Sequence, residues 1–149
     1  MNPLEKLNAH YRAMPPVAAM GIRAVAFDGD TLRLHAPLDA NVNDKACAFG
    51  GSLAGIMTLA GWGLLTLKLE AAGLPADVYV ADSHVRYLKP LYADLQAQAW
   101  LDPEVDWSAV LRAYRERGRA RAAIQASVIG PDGVVVSELS GRFAALRSA

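Results

Sequence analysis

Residues 46–67 run for 22 positions without a charged side chain. A stretch of that length and character either spans a bilayer or must be covered by the rest of the fold. Five glycines (Gly50, Gly51, Gly55, Gly61 and Gly63) and the hydroxyls of Ser52, Thr58 and Thr66 dilute its hydrophobicity. Alternating, strand-like segments lie on both sides of it, which a lone membrane anchor does not require. The expectation is a helix buried on nearly all sides inside a soluble fold, with no membrane partner.

The remainder of the chain has the means to bury it. Apolar residues make up 53% of the 149 positions and charged residues 20%, which suits one domain over residues 1–149 and excludes disorder. Fifteen basic residues balance fifteen acidic ones, so a nucleic-acid binder is not expected. Cys47 is the only cysteine, which rules out an internal disulfide and leaves a cysteine-based zinc site without partners. His10, His35 and His84 share no metal-ligand spacing, and no metal is expected. Residues 1–14 show no apolar core ahead of a cleavage site, so no signal peptide is read and the expected compartment is the cytoplasm.

The order of elements follows from periodicity and punctuation. Residues 2–13 form a short amphipathic helix ended by Pro15-Pro16, so residues 1–16 read as a helix and a proline turn. Residues 22–27 and 31–38 are two strands around the Asp28-Gly29-Asp30 turn. The second alternates Leu32, Leu34, Ala36 and Leu38 against Arg33 and His35. A polar loop spans 37–47, and the apolar helix runs from about 49 to 72 with Gly73 as its stop. Strands follow over 76–88 and 95–101, then a helix inserted within 104–118. Two long strands, 119–129 and 134–146, join at Pro131-Asp132-Gly133. The class is α+β: a curled antiparallel sheet of about six strands around one long central helix. An apolar sheet edge left unpaired invites association, so a homodimer or tetramer is expected.

Two segments carry a family resemblance. Asn41-Val-Asn-Asp-Lys-Ala-Cys-Ala-Phe-Gly-Gly-Ser52 resembles the loop-to-helix motif of hotdog-fold thioesterases, and Ala81-Asp-Ser-His-Val-Arg-Tyr-Leu-Lys-Pro90 resembles their central strand. Gly61-Trp62-Gly63 narrows the resemblance to the thioesterase-like domain found fused behind an acetyltransferase in some bacterial proteins, from about residue 20 to 147. It implies a hotdog fold, substrate sites between subunits, and malonyl-acyl carrier protein decarboxylase or acyl thioesterase activity. Coenzyme A or phosphopantetheine enters only as part of the substrate, and no other cofactor is implied.

Carried across position by position, the motif has gaps. Its loop asparagine falls on Asn43, its His-Gly-Gly on Phe49, Gly50 and Gly51, and its catalytic acid on Thr58. A neutral threonine hydroxyl does not activate water or attack a thioester without a base beside it. What remains is electrostatic. Amides at Gly50 and Gly51 open a helix, where orphan donors and the dipole favour negative charge. Such donors suit the enolate formed when a malonyl thioester loses carbon dioxide. Asn43 would orient the substrate, and Phe49 would keep the pocket apolar. Asn41 is the alternative loop asparagine, or a backbone cap. Ser52 would bond substrate or satisfy the first helical turn, and Thr58 would line the acyl pocket or pack the helix.

Asp82 is the candidate for a replacement carboxylate. It sits in an otherwise apolar strand, where an unpaired charge is costly, so it is read as a structural acid with a role near substrate as the alternative. Cys47 reads as a small loop residue, and His84 shares a strand face with Asp82. Arg112, Arg115, Arg117, Arg119 and Arg121 crowd ten residues, offset by Glu116. They form a solvated surface, or else dock an acidic carrier protein or the phosphates of coenzyme A.

Overall fold

The computed structural model describes residues 1–148. Asn2 caps α1 (Pro3–Ala13): its Oδ1 accepts the Glu5 amide at 2.9 Å while Glu5 reaches back to the Asn2 amide. That reciprocal capping box fixes the helix start. Pro15-Pro16 ends α1 as expected, but it also opens a second short helix, α2 (Pro15–Met20). Proline at the first helical positions loses no hydrogen bond and presets φ, so the same dipeptide stops one helix and starts the next.

The strands are β1 (Arg23–Phe27), β2 (Thr31–Ala36), β3 (Asp77–Tyr87), β4 (Leu95–Leu101), β5 (Arg119–Ile129) and β6 (Val135–Leu146). The central helix α3 (Gly50–Ala71) falls between β2 and β3, and α4 (Trp107–Arg117) between β4 and β5. β2 stops at Ala36 rather than Leu38, because Pro37 supplies no ladder donor and Leu38–Ala40 closes into a 3-10 turn. The six strands form one antiparallel sheet in the order β1-β2-β4-β5-β6-β3. This is the hotdog fold: α3 packs on β2 through β6, and the sheet curls about it.

Alternation sets the two faces. Leu32, Leu34 and Ala36 of β2 are buried against α3, while Arg33 and His35 face outward. The helix is long and apolar enough to cross a membrane, with a mean hydropathy of 1.4 over its best window, yet 61% of that window is buried here. Its Gly61-Trp62-Gly63 segment answers to its neighbours one residue at a time. A Cβ on Gly61 would lie 2.5 Å from Cζ of Phe143 on β6. One on Gly63 would strike the Tyr11 hydroxyl and lie 2.8 Å from Leu32. Between them Trp62 donates its indole N–H to the Val78 carbonyl at 2.7 Å, pinning the start of β3 to the middle of the helix. Tyr11, fully buried, donates to the Leu59 carbonyl at 2.8 Å, and burial pushes its phenol far above the usual range.

The sheet edges are finished differently. On β1 the Asn8 side chain accepts the Ala24 amide at 2.6 Å and donates to the Ala24 carbonyl at 3.1 Å, standing in for one residue of a missing strand. β3, eleven residues long, carries exposed Tyr79, Val80 and Tyr87 and has β6 alone as its strand neighbour.

Gly61→Ala should therefore destabilise the protein by about 1–3 kcal/mol, because overpacking displaces Phe143. In thermal unfolding the midpoint should fall by roughly 2–10 °C, and Phe143→Leu on the same background should recover part of the loss. An unchanged midpoint would contradict the tight helix-to-sheet approach.

Candidate active site

The polar loop of residues 37–47 is held from within by two asparagines with different tasks. Asn41 is only 3% exposed; its Nδ2 donates to the carbonyls of Met20 and Pro37, both at 2.8 Å. Its own carbonyl accepts the Phe49 amide at 2.7 Å. Asn41 thus ties together the end of α2, the end of β2 and the start of α3, while its Oδ1 is buried without a partner among the described residues. Asn43 is half-buried and shapes the loop itself. Its Oδ1 accepts the amides of Lys45 at 2.8 Å and Cys47 at 3.2 Å, and its backbone N–H donates to the Cys47 carbonyl. Its Nδ2 lies 3.3 Å from the buried Cys47 Sγ. Sulfur is a weak acceptor and Nδ2 carries two hydrogens, so Asn43 keeps a side-chain donor to give while its oxygen is spent. The loop closes through Ala46 at φ 65°, a left-handed conformation that costs a residue with a Cβ about 1–2 kcal/mol. Such strain gathers at functional sites.

The loop delivers the chain to α3 with Phe49 as N-cap and no side-chain oxygen in the cap position. α1 and α4 differ: Asn2 and Asp106 cap them. The Phe49 carbonyl accepts the amides of Ser52 and Leu53, both at 3.0 Å. The amides of Gly50 and Gly51 have no acceptor among the described residues. Two orphan donors and the positive end of a 22-residue helix therefore face one spot. The rim of the Phe49 ring occupies the place a Cβ on Gly51 would take, and with Phe49 54% exposed the ring can swing aside, so it covers the glycine without making it obligatory.

Sequence reasoning missed Tyr87. At the end of β3 its hydroxyl donates to the Gly50 carbonyl at 3.1 Å, and its ring lies within contact distance of Gly50. The bond falls on the peptide group whose N–H belongs to Gly51, and donation to an amide oxygen strengthens the N–H of the same amide. A tyrosine at the end of a strand bordering a glycine pair is the only signal the sequence offers. The Ala48 amide, donating to the Leu91 carbonyl at 2.8 Å, completes the frame. Asn43, Phe49, Gly50, Gly51 and Tyr87 thus sit on adjoining pieces of backbone.

The other candidates divide. Ser52 is buried at 7% exposure and its hydroxyl has no hydrogen-bond partner among the described residues, so it does not serve the first helical turn. Thr58 donates to the Ala54 carbonyl at 2.8 Å, a bond internal to α3. Asp44, beside Asn43 in sequence, is exposed and paired with Lys45.

Asp82 lies on the outer face of the sheet, opposite Arg142, whose Nε donates to its two oxygens at 3.0 and 3.1 Å. Five residues of strand, about 17 Å, separate it from Tyr87. The structure does not bring Asp82 to the helix start. The Arg142 hydrogen bonds hold its carboxyl below the ordinary range. His84 follows on the same outer face, as its alternation with Asp82 requires. His10 meets Trp62 edge-on, His35 lies 3.1 Å from Asp94, and among the described residues no metal-ligating group converges.

A sheet curled on one apolar helix, whose uncapped start is framed by a buried asparagine loop, defines a hotdog protein of the thioesterase type. The chain belongs to the family described as "Putative thioesterase (yiiD_Cterm)", whose model matches residues 4–147. Among solved structures it resembles a protein of unknown function from Chlorobaculum tepidum, with 28% identity, a TM-score of 0.89, and 97% and 94% of the two chains covered. A "putative thioesterase" from Shewanella oneidensis shares 26% identity and a TM-score of 0.87, over 97% of each chain. A Haemophilus influenzae thioesterase at 18% identity shares the fold, with a TM-score of 0.74 over 97% and 90% of the chains.

Three aspartates predict the acid limb of stability. Backbone amides of Thr31 and Leu38 hold Asp28 and Asp94 below the usual carboxylate range, as Arg142 holds Asp82. Carboxylates of the unfolded chain titrate near about 3.9. The stability these bonds add is complete above that value and drains as pH falls through the lower native ones. Melting midpoints should stay level from neutrality to about pH 5 and drop below about pH 4, less steeply in Asp82→Asn. Identical acid limbs in the variant and the parent would show the Asp82–Arg142 pair to be thermodynamically silent.

Proposed function

We propose that the protein is a cytoplasmic malonyl-thioester decarboxylase, converting malonyl carrier protein or malonyl coenzyme A to the acetyl thioester. The observation that carries this reading is the pair of amides at Gly50 and Gly51 that no carboxylate accepts from among the described residues, with Asp82 engaged by Arg142 on the outer face. The C–C bond to the carboxylate breaks, its electron pair moves into the thioester as an enolate, and carbon dioxide leaves. The enolate carbon then takes a proton from solvent. No base is needed to start this sequence; it needs donors on the thioester oxygen, worth about 3–4 kcal/mol each in comparable sites. Gly50 and Gly51 supply them, with Tyr87 polarising the second. Asn43 orients the malonyl group through Nδ2, and Ser52 offers a further hydroxyl. The exposed Phe49 ring gives the departing carboxylate an apolar neighbour, which favours neutral carbon dioxide. Thr58 takes no catalytic part, and no cofactor is invoked beyond the carrier group on the substrate.

Hydrolysis of an acyl thioester is the second reading, favoured by the family description. It needs Asp82, which would have to arrive from the outer face, or a bound water activated by Asn43. A non-catalytic acyl-thioester-binding module is the third. In each reading a second copy pairs along the bare β3 edge, giving a homodimer or a tetramer built from it.

Mass analysis of malonyl carrier protein, malonyl coenzyme A and a mixture of acyl coenzyme A thioesters incubated with the protein separates the three. Acetyl thioester supports decarboxylation, free thiol hydrolysis, and unchanged substrate the binding module. Gly50→Pro is the sharpest variant. Proline is tolerated at the first helical position, Phe49 already has the φ −65°, ψ 132° that a following proline requires, and only the Gly50 N–H is lost. It should keep the melting midpoint and lose about 10²–10³-fold in kcat. Asn43→Ala should abolish turnover, and full activity in both variants would remove the mechanism.

A further inference from the structure

Of the five arginines between 112 and 121, three converge. Ala113 and Arg117 lie one turn apart on α4, and Gly118 at φ 71° reverses the chain straight into β5. There Arg119 and Arg121 alternate onto the outer face, opposite Leu146 and Ala144 of β6. The result is a groove of about 650 Å³ with guanidinium groups on a floor of small apolar side chains. None of the three arginines is in an ion pair among the described residues. Asp82, close enough to Arg121 to feel its charge, accepts its hydrogen bonds from Arg142, and Arg147 is spent on the Tyr114 and Arg115 carbonyls. A chain of zero net charge has thus gathered three arginines that form no ion pair among the described residues in one concave place.

We infer that this groove binds the phosphates of the nucleotide end of a coenzyme A thioester; the inference rests on the thioester reading and names its carrier. Guanidinium forks match phosphate oxygens two at a time. The volume suits a small-molecule site, whereas docking of an acidic protein draws on some 800 Å² of each surface, about the standard interface. An alanine and leucine floor accepts a flat ring beside the phosphates. The groove adjoins the start of β3, since Leu146 also pairs with Asp77, while Gly50 lies at the end of β3 beside Tyr87. In a two-fold antiparallel pairing of β3 strands, the start of one meets the end of the other. The groove of one copy then lies at the same end of the joined edge as the helix start of its mate, on the outer face of the continuous sheet.

Titration calorimetry of the intact protein with adenosine 3′,5′-bisphosphate tests the inference without any turnover. Binding should weaken with added salt, and should fall about ten-fold or more in the double variant Arg119→Gln/Arg121→Gln at an unchanged melting midpoint. The same variant should raise KM for malonyl coenzyme A by a similar factor with kcat within about two-fold, and leave malonyl-pantetheine, which has no nucleotide, unaffected. No bisphosphate binding by the parent protein, or equal binding by the double variant, overturns the inference. So does a defect confined to carrier-protein substrate, which would make the groove a docking face for an acidic protein. Arginine-dependent bisphosphate binding without conversion of any thioester would leave the groove standing and overturn the decarboxylase reading instead.

Discussion

The structure depends on burying a helix that has no polar side. With no charge from Ala46 to Leu67, α3 has no charged stripe to turn to water, only a half-buried one through Thr58, Trp62 and Thr66, and a flat sheet would cover one face only. The sheet therefore curls, and its inner face is lined with small residues that allow close approach: Ala36, Ala97, Ala99, Ala122, Ala126 and Ala145 are all buried. Gly61 and Gly63 make the matching concession on the helix, receiving Phe143 on one side and Tyr11 with Leu32 on the other. Large side chains from the sheet and from α1 thus fill the places where the helix has none, as dense interior packing demands.

Wrapping a helix this way leaves its two ends and a half-buried stripe through Ala54, Thr58, Trp62 and Thr66 nearest to solvent, and the two ends are treated differently. The far end approaches α4, where Lys68 lies 4.9 Å from the centre of the Trp107 ring and donates to the Gly29 carbonyl. The near end carries no capping oxygen, although the chain caps α1 and α4 with side chains. Orphan amides at a helix start are costly unless water or a ligand meets them. Their retention beside a strained Ala46 turn and a braced asparagine loop is what singles this end out as the candidate site.

The same asymmetry holds for the sheet. Asn8 pairs with both polar groups of Ala24 and closes one edge, while β3 is eleven residues long and keeps its aromatic side chains exposed. Trp62 ties one end of β3 to the helix and Tyr87 ties the other, so the bare edge is anchored at both ends. A long bare edge recruits neighbours without control unless something covers it, which is the physical basis for the proposed pairing with a second copy.

Much of this was legible in the chain. The uncharged run, the two-residue alternation of Leu32, Leu34 and Ala36, and the turn residues around the long strands each report a local preference that the fold then satisfies. The glycine pair announced an approachable helix start, because glycine admits a backbone contact that a Cβ would block. Other features needed the third dimension. Asn41 and Asn43 look alike in sequence, and only their surroundings assign one to bracing three elements and the other to presenting a donor. Asp82 read as a possible carboxylate for the site until strand pairing turned it outward onto Arg142. Tyr87 and the convergence of Arg117, Arg119 and Arg121 arise from contacts between segments far apart in the chain. Periodicity and turn chemistry act over a few residues, so the sequence alone determined which elements form and which faces they bury. Which side chains meet across those elements depends on register and on the curl of the sheet, and those are decided only when the whole core packs at once.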